Sequence, residues 1–400
     1  MLNNFRHTKW ACYIGAMCQA GVCGFLPLLF VILSKQYNLS LAQLTVFVTL
    51  NFAKQLTTDC LSVLFVDRVG YRKCMVAAHI LAGAGFVGLA VFPELFGNAY
   101  LGLLVSVLLY SVAGGLFEVL ASPILEACPF DNKAAAMSLL HSMFCFGTVG
   151  LILITTVFFA VFGQENWKYL AVIISVVPFL NALYFLFVPI RKTVEDSEKM
   201  PISELFKDKF FWLFILIMMC SGAAEQGMSQ WASAFAESTL GVSKTLGDIL
   251  GPCMFAILMG LARVVYPKVS HKISLSTCLI FCGVLCIISY LMTVFSPFKL
   301  LALVGCGLCG FSTGIMWPGT VSQAAEKCPA GGTALFASLA FAGDIGCTAG
   351  PSVIGYVAAA FGDNLKAGLL ACVVFPTVLI IGNIIYKRMK AEAQLGLMED

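Results

Sequence analysis

Apolar and polar residues fall along this chain in long blocks, not in a short alternation. Mostly apolar stretches of about 20 residues or more recur, which is the length a helix needs to cross a bilayer. The breaks between them predict twelve helical spans, at residues 10–34, 42–65, 74–95, 99–125, 134–162, 169–189, 210–237, 246–267, 274–295, 299–325, 333–360 and 367–386. Most gaps are short and carry turn residues such as Pro93, Gly97, Pro129, Pro297 and Gly362. Only one polar gap is long, "RKTVEDSEKMPISELFKDK" from Arg191 to Lys209. It splits the spans six and six. The fold expected is therefore an all-α integral membrane protein with two pseudo-symmetric six-helix bundles. Residues 1–190 form the N-terminal bundle, 191–209 a cytoplasmic linker, and 210–400 the C-terminal bundle with a short cytoplasmic tail.

Composition agrees. The 400 residues are 60% hydrophobic and 11% charged, with a mean hydropathy of +0.93. A soluble domain averages about 45–50% apolar and about 25% charged, so a single soluble core of this size is excluded. The first span is too long for a signal peptide and has no small-residue cleavage site. Its leading "MLNNFRHTK" reads as a short, retained cytoplasmic end. The seventeen cysteines lie mostly inside spans, as Cys18, Cys23, Cys145, Cys220 and Cys306 do, with no paired framework or metal spacing. They read as small apolar packing residues. The four histidines lack metal-ligand spacing as well. No metal and no cofactor is expected.

Charge gives the orientation. With an inside N-terminus, eighteen of the 24 Lys and Arg fall in inside gaps. Five, Lys35, Lys168, Lys244, Lys299 and Lys366, fall outside, and Lys54 lies within a span. This asymmetry obeys the positive-inside rule, supports an even span count, and places both termini in the cytoplasm. The net charge of +3 then reflects topology and implies no nucleic-acid partner. The protein is expected as a multi-pass, monomeric resident of the cell's inner (plasma) membrane. Its partners are the lipid bilayer, a small-molecule solute and protons.

The two halves repeat at an offset of 200 residues. Ser122, Glu126, Cys128 and Pro129 face Ser322, Glu326, Cys328 and Pro329. Ala134, Ser138, Leu139, Thr148 and Gly150 face Ala334, Ser338, Leu339, Thr348 and Gly350. "EACP" against "EKCP" is the most specific part. A duplicated six-span unit suits alternating access, in which two bundles rock around a central site.

Twelve spans in two halves, with "DRVGYRK" between spans two and three, resemble the major facilitator superfamily. Its signature in that loop is Gly-x-x-x-Asp-Arg-x-Gly-Arg-Arg/Lys. Asp67, Arg68, Gly70, Arg72 and Lys73 match it, while Val63 replaces the leading Gly and Tyr71 one Arg. The resemblance covers essentially the whole chain. It implies that Asp67 and Arg68 latch the bundles at the cytoplasmic face. An Asp at a helix end can meet another helix's positive N-terminus, and Glu126 is placed to pair with Arg68 or Arg72. The plainer reading is a solvated basic loop that sets topology.

Polar residues inside spans are costly and usually face a cavity or a partner. Span seven, "CSGAAEQGMSQWASAFAES", repeats Glu225, Ser229 and Ser233 at helical spacing, with Gln226 and Gln230 beside them and Trp231 nearby. This stripe reads as the lining of an aqueous path, or alternatively as hydrogen-bond glue between helices. Span two sets Asn51, Gln55 and Thr58 on one side, with Lys54 and Asp59 beside them. Span four carries Glu118 and Ser122 one turn apart, next to Gly114 and Gly115. A buried Lys54 needs a counter-charge, and either Asp59 or Glu118 fits. His141 in span five, Thr313 and Trp317 in span ten, and Gln19 in span one complete the candidate solute-binding set. Asp344 in span eleven joins Glu118 and Asp59 as a candidate proton carrier.

Acids outnumber bases in the spans, which disfavours anionic solutes. Amides and hydroxyls bond sugar hydroxyls and Trp covers an apolar sugar face, so the set suits a neutral polyhydroxylated solute. Buried acids can carry protons. "GGLFEVLASP" and "GIMWPGTVSQAA" are similar to the fourth and tenth helices of fucose-permease-like sugar/proton symporters. Glu118 matches that group's Glu, and Ser122 replaces its Asn. The Asp of its first helix has no counterpart in "YIGAMCQAGVCGFLPLLF". "GDIGCTAGPSVIG" resembles the superfamily's Gly-Pro antiporter motif but stands in span eleven instead of span five. Proton antiport of drugs or cations is therefore the second reading. No HExxH, GxSxG or P-loop supports an enzyme or built-in ATP hydrolysis. A transporter-like sensor is a further alternative.

Overall fold

In a computed structural model, the protein is described over residues 4–130, 133–191, 205–269, 273–328 and 332–396. The side chains of Asp67, Lys133, Ser138 and His141 lie outside the described residues, as does most of the expected linker, 192–204. All regular structure among the described residues is helical. The chain forms two compact units, Met1–Glu195 with Ser243–Ile249, and Asp196–Val242 with Leu250–Asp400. The short segment 243–249 thus groups with the first unit, whereas a division at the linker assigns it to the second.

The first unit contains α1 (Phe5–Leu28), α2 (Phe30–Tyr37), α3 (Leu41–Val69), α4 (Tyr71–Leu95), α5 (Ala99–Glu126), α6 (Lys133–Phe162) and α7 (Trp167–Phe187). The next stretch runs through α8 (Lys209–Ala234), a π-helical turn at Phe235–Thr239, α9 (Lys244–Asp248), and a second π turn at Ile249–Cys253. It continues with α10 (Met254–Val269), α11 (Leu275–Phe295), α12 (Lys299–Thr313), α13 (Met316–Lys327), α14 (Gly332–Ala360), α15 (Leu365–Ala371) and α16 (Val374–Gly396). Each predicted span meets one helix or a broken pair. Span one breaks at Leu29 into α1 and α2, two residues after Pro27. Span ten breaks at Gly314–Ile315 into α12 and α13.

Among the described residues, ten helical segments are long and apolar enough to cross a membrane. The helices α3 and α14 have 29 residues each, ample length at about 1.5 Å per residue, but carry polar residues mid-run. Large apolar side chains stand outward on α6 and α7, among them Ile154, Val157, Val161, Ile173, Leu180 and Leu183, all more than 40% exposed. Water would not tolerate such a surface, and hydrocarbon does. The protein is a multi-pass membrane protein.

Because lipid tails are as apolar as Leu, packing between spans relies on close backbone approach at small residues. Within the first unit, a Cβ on Gly85 of α4 would fall 2.7 Å from Tyr110 Cβ on α5. In the second unit, Gly222 on α8 and Gly346 and Gly350 on α14 leave no room for a Cβ against the facing backbone or side chains. Helix α3 starts in a capping box, Ser40 with Gln43, and stops at Gly70. At φ +94° that residue's backbone suits glycine alone.

Candidate functional site

The first unit gathers a buried chain of amides. Asn51 and Gln55 stand one turn apart on α3, and Gln55 Nε2 donates to Asn51 Oδ1 at 3.0 Å. From α1, Gln19 Nε2 donates to Gln55 Oε1 at 2.9 Å. From α5, Ser111 Oγ donates to Asn51 Oδ1 at 2.8 Å. Asn51 Nδ2 returns to the Val22 carbonyl of α1 at 3.3 Å. Three helices are joined through one asparagine. One acceptor in this chain is left over. Gln19 Oε1 is buried with no hydrogen-bond partner among the described residues, a state that costs free energy until a donor arrives.

Just along α3, the glycines of α5 let the polar groups close in. A Cβ on Gly114 would fall 2.7 Å from the Gln55 amide, and one on Gly115 would fall 2.6 Å from Asp59 Oδ1. Asp59 is half-buried, Glu118 is exposed, and a carboxylate oxygen of each lies within 4.8 Å of the other. Two carboxylates this close repel unless a proton or cation stands with them. Lys54 is half-buried and makes no ion pair among the described residues. The expected pairing with Asp59 or Glu118 is therefore not formed.

Within the second unit, α8 carries its acid and amides as a ladder. Gln226 Nε2 donates to Glu225 Oε1 at 3.4 Å, and Gln230 Nε2 to Gln226 Oε1 at 3.1 Å. Glu225 Oε2 has no hydrogen-bond partner among the described residues. Glu225 and Gln226 are each 9% exposed and Gln230 3%. Ser229 is half-buried beside them. Trp317, half-buried, lies against Gly343 of α14, next to half-buried Asp344.

Two expected solute contacts are placed elsewhere. Trp231 is fully buried and its Nε1 donates to the Pro351 carbonyl at 2.9 Å, so it locks α8 to α14. Thr313 is fully buried and donates to Cys309 and Gly310 carbonyls of its own helix.

The charged turn is built around Gly70. Arg72 Nη1 donates to the carbonyls of Phe185 and Leu186 at 2.6 and 2.9 Å. It thus caps the negative C-terminus of α7 rather than forming the expected pair with Glu126. Arg68, Lys73 and Glu126 are exposed.

Three features escape a reading of the sequence. Ser111 completes the amide chain. His79, fully buried on α4, contacts the Met75 carbonyl through Nδ1 and Asn181 Nδ2 through Nε2, each at 2.7 Å. Arg263, counted in the sequence only as a topological charge, reaches Gly314 at the break in span ten.

Comparisons with known proteins agree with this architecture. The sequence matches the profile of the Major Facilitator Superfamily over residues 11–351. No curated protein sequence matches it. Among similar solved structures is a bacterial homolog of the human lysosomal transporter Spinster, inward-facing and occupied. It has a TM-score of 0.75 at 14% identity, over 96% of this chain and 97% of that one. The nucleoside transporter NupG gives 0.75 at 14% identity, over 95% and 99%. A D-xylose-proton symporter gives 0.71 at 12% identity, over 95% and 96%.

Proposed function

Because the chain belongs to the Major Facilitator Superfamily, and is a membrane transporter and not an enzyme, we propose that it is a proton-coupled symporter of a small, neutral, polyhydroxylated solute. It works by alternating access through twelve spans, as a monomer in the plasma membrane with both termini cytoplasmic. The Lys and Arg asymmetry supports that orientation. The similar structures, at 12–14% identity, bear on the fold and not on the solute.

The observation that carries the solute class is the amide chain with its leftover acceptor. Gln19 Oε1 accepts from a hydroxyl and is buried without a donor among the described residues. In the second unit, Glu225 Oε2 offers a second acceptor and Trp317 an apolar face. Glu118 is the leading proton carrier, with Asp59 within 4.8 Å to share the load, and Asp344 is second. The alternative role for Glu118, a structural pair with Lys54, has no ion pair among the described residues to support it. The carboxylate pair also suits a cationic solute exchanged for protons, which is the second reading.

Counterflow in proteoliposomes tests both, using radiolabelled sugars, polyols, nucleosides and organic cations. Exchange of a sugar or polyol supports the proposal. Exchange of cations alone favours antiport, and binding without counterflow marks a sensor. Glu118→Gln then tests coupling. It is expected to abolish pH-driven accumulation while keeping exchange across equal-pH membranes. Normal uphill accumulation by this variant would sink the assignment and turn attention to Asp344.

A further inference from the structure

The tenth span breaks at Gly314–Ile315, and its sequence explains why. In a continuous helix, the Gly314 carbonyl would accept from the N–H four residues on. That residue is Pro318, which has no N–H. Its ring also clashes with the carbonyl four residues back, which forces the chain apart there. A backbone carbonyl freed inside a membrane protein needs another donor. Arg263 supplies it, with Nε donating to Gly314 O at 3.1 Å.

The glycines of α12 bring that arginine to the right level. A Cβ on Gly307 would fall 2.8 Å from Met254 Cγ, and one on Gly314 would fall 2.7 Å from the Met259 carbonyl. Helix α10 therefore runs against α12 up to the break, and Arg263 sits one turn beyond Met259. Three residues past Gly314, Trp317 emerges from the new helix and lies against Gly343, the neighbour of Asp344.

We propose that Arg263 is a positioning residue: it replaces the donor that Pro318 removes, fixes the bend in the tenth span, and so sets where Trp317 points. A helix broken by proline and re-satisfied by a side chain on a neighbour can reshape without exposing an orphan carbonyl. The inference rests on the geometry of the second unit and does not depend on which solute is carried.

The test uses the full-length protein in nanodiscs. Amide exchange is followed over residues 315–320, together with acrylamide quenching of Trp317, isolated by subtracting a Trp317→Phe background. Arg263→Ala is expected to speed exchange in this segment by about tenfold, the scale of a lost hydrogen bond to a charged donor, and to raise quenching of Trp317. Adding Pro318→Ala restores the backbone donor and is expected to bring both readings back toward wild type. Rescue of this kind separates donor replacement from a general packing role. Wild-type exchange and quenching in Arg263→Ala would overturn the proposal. So would a loosened segment that Pro318→Ala leaves loose. Should Arg263→Ala fail to fold, the double variant decides: recovery of folded protein supports the proposal, and continued misfolding overturns it.

Discussion

Asn51 is the residue whose loss measures how the first unit is held together. Leucine in its place keeps the branched shape, at a somewhat larger volume, and removes every polar contact. Two interhelical hydrogen bonds disappear, from Ser111 Oγ on α5 and to the Val22 carbonyl on α1. Bonds of this kind in membrane proteins contribute about 0.6 kcal/mol on average and about 1.7 at most, so Asn51→Leu is expected to cost about 1–3 kcal/mol. Ser111→Ala removes one of the two, and Ser111 has a second acceptor in the Val107 carbonyl at 2.5 Å. Its cost should be about 0.6 kcal/mol or less. Because both changes remove the same bond, the double variant should fall short of the sum by about 0.5 kcal/mol. Equilibrium unfolding in mixed micelles, read by circular dichroism, gives all three values. Gln19→Leu is the functional counterpart. It removes the interhelical bond to Gln55 Oε1 and should cost about 0.6 kcal/mol, and on the proposed reading, in which Gln19 Oε1 accepts from the solute, counterflow should weaken well beyond that cost. The reasoning fails if Asn51→Leu unfolds with wild-type stability, or if the two single costs simply add.

Two further outcomes follow from the charged turn at Gly70 and from the thiols. Asp67→Asn or Arg68→Ala should slow turnover more than it weakens solute binding; collapse of affinity with normal turnover of the bound fraction would refute the latch. Of the seventeen cysteines, Cys60 is exposed, Cys278 and Cys347 are half-buried, and the rest are buried. Labelling by a maleimide needs a thiolate that water reaches. Cys328, at the end of α13, should stay silent: burial, aided by its hydrogen bond to Asp208, pushes its thiol up to about 11. At pH 8 about one molecule in a thousand is thiolate there, and labelling should rise only as the pH approaches 11. Fast labelling of Cys328 at pH 8, followed by peptide mass spectrometry, would contradict this.

The apolar helical segments are legible because a bilayer imposes length and hydropathy on each helix directly. The breaks are not. Pro318 stands inside an apolar run that reads as continuous, and where a proline opens a helix depends on what neighbours supply the lost donor. The break at Gly314–Ile315 also explains Thr313. On a continuous helix it shares a face with Trp317, but the break ends that register. Trp231 is a different case. It stands six residues from Glu225, about 240° around the helix at 3.6 residues per turn, so periodicity itself places it away from the stripe. The polarity of Gln19, Asn51 and Gln55 was legible, since amides in a span need partners. Their joining through Ser111 was not, because a serine in a membrane helix can equally bond its own preceding turn. Arg263 looked like a loop charge because counting Lys and Arg by gap assigns every basic residue near a span end to topology.

The start of the chain is fastened to the end of α7. His7 Nδ1 meets Tyr184 Oη at 2.7 Å, Thr8 Oγ1 donates to the Pro189 carbonyl at 2.5 Å, and Asn181 Nδ2 donates to the Ala11 carbonyl at 3.0 Å. His7 and Tyr184 are 177 residues apart. During synthesis at about 5–20 residues per second, that separation amounts to roughly 9–35 s. For that interval α1 waits in the bilayer for contacts made by α7 and the residues after it. This fastening therefore closes only once Pro189 has emerged, and a nascent chain stalled before that point would leave His7, Thr8 and the Ala11 carbonyl without these partners.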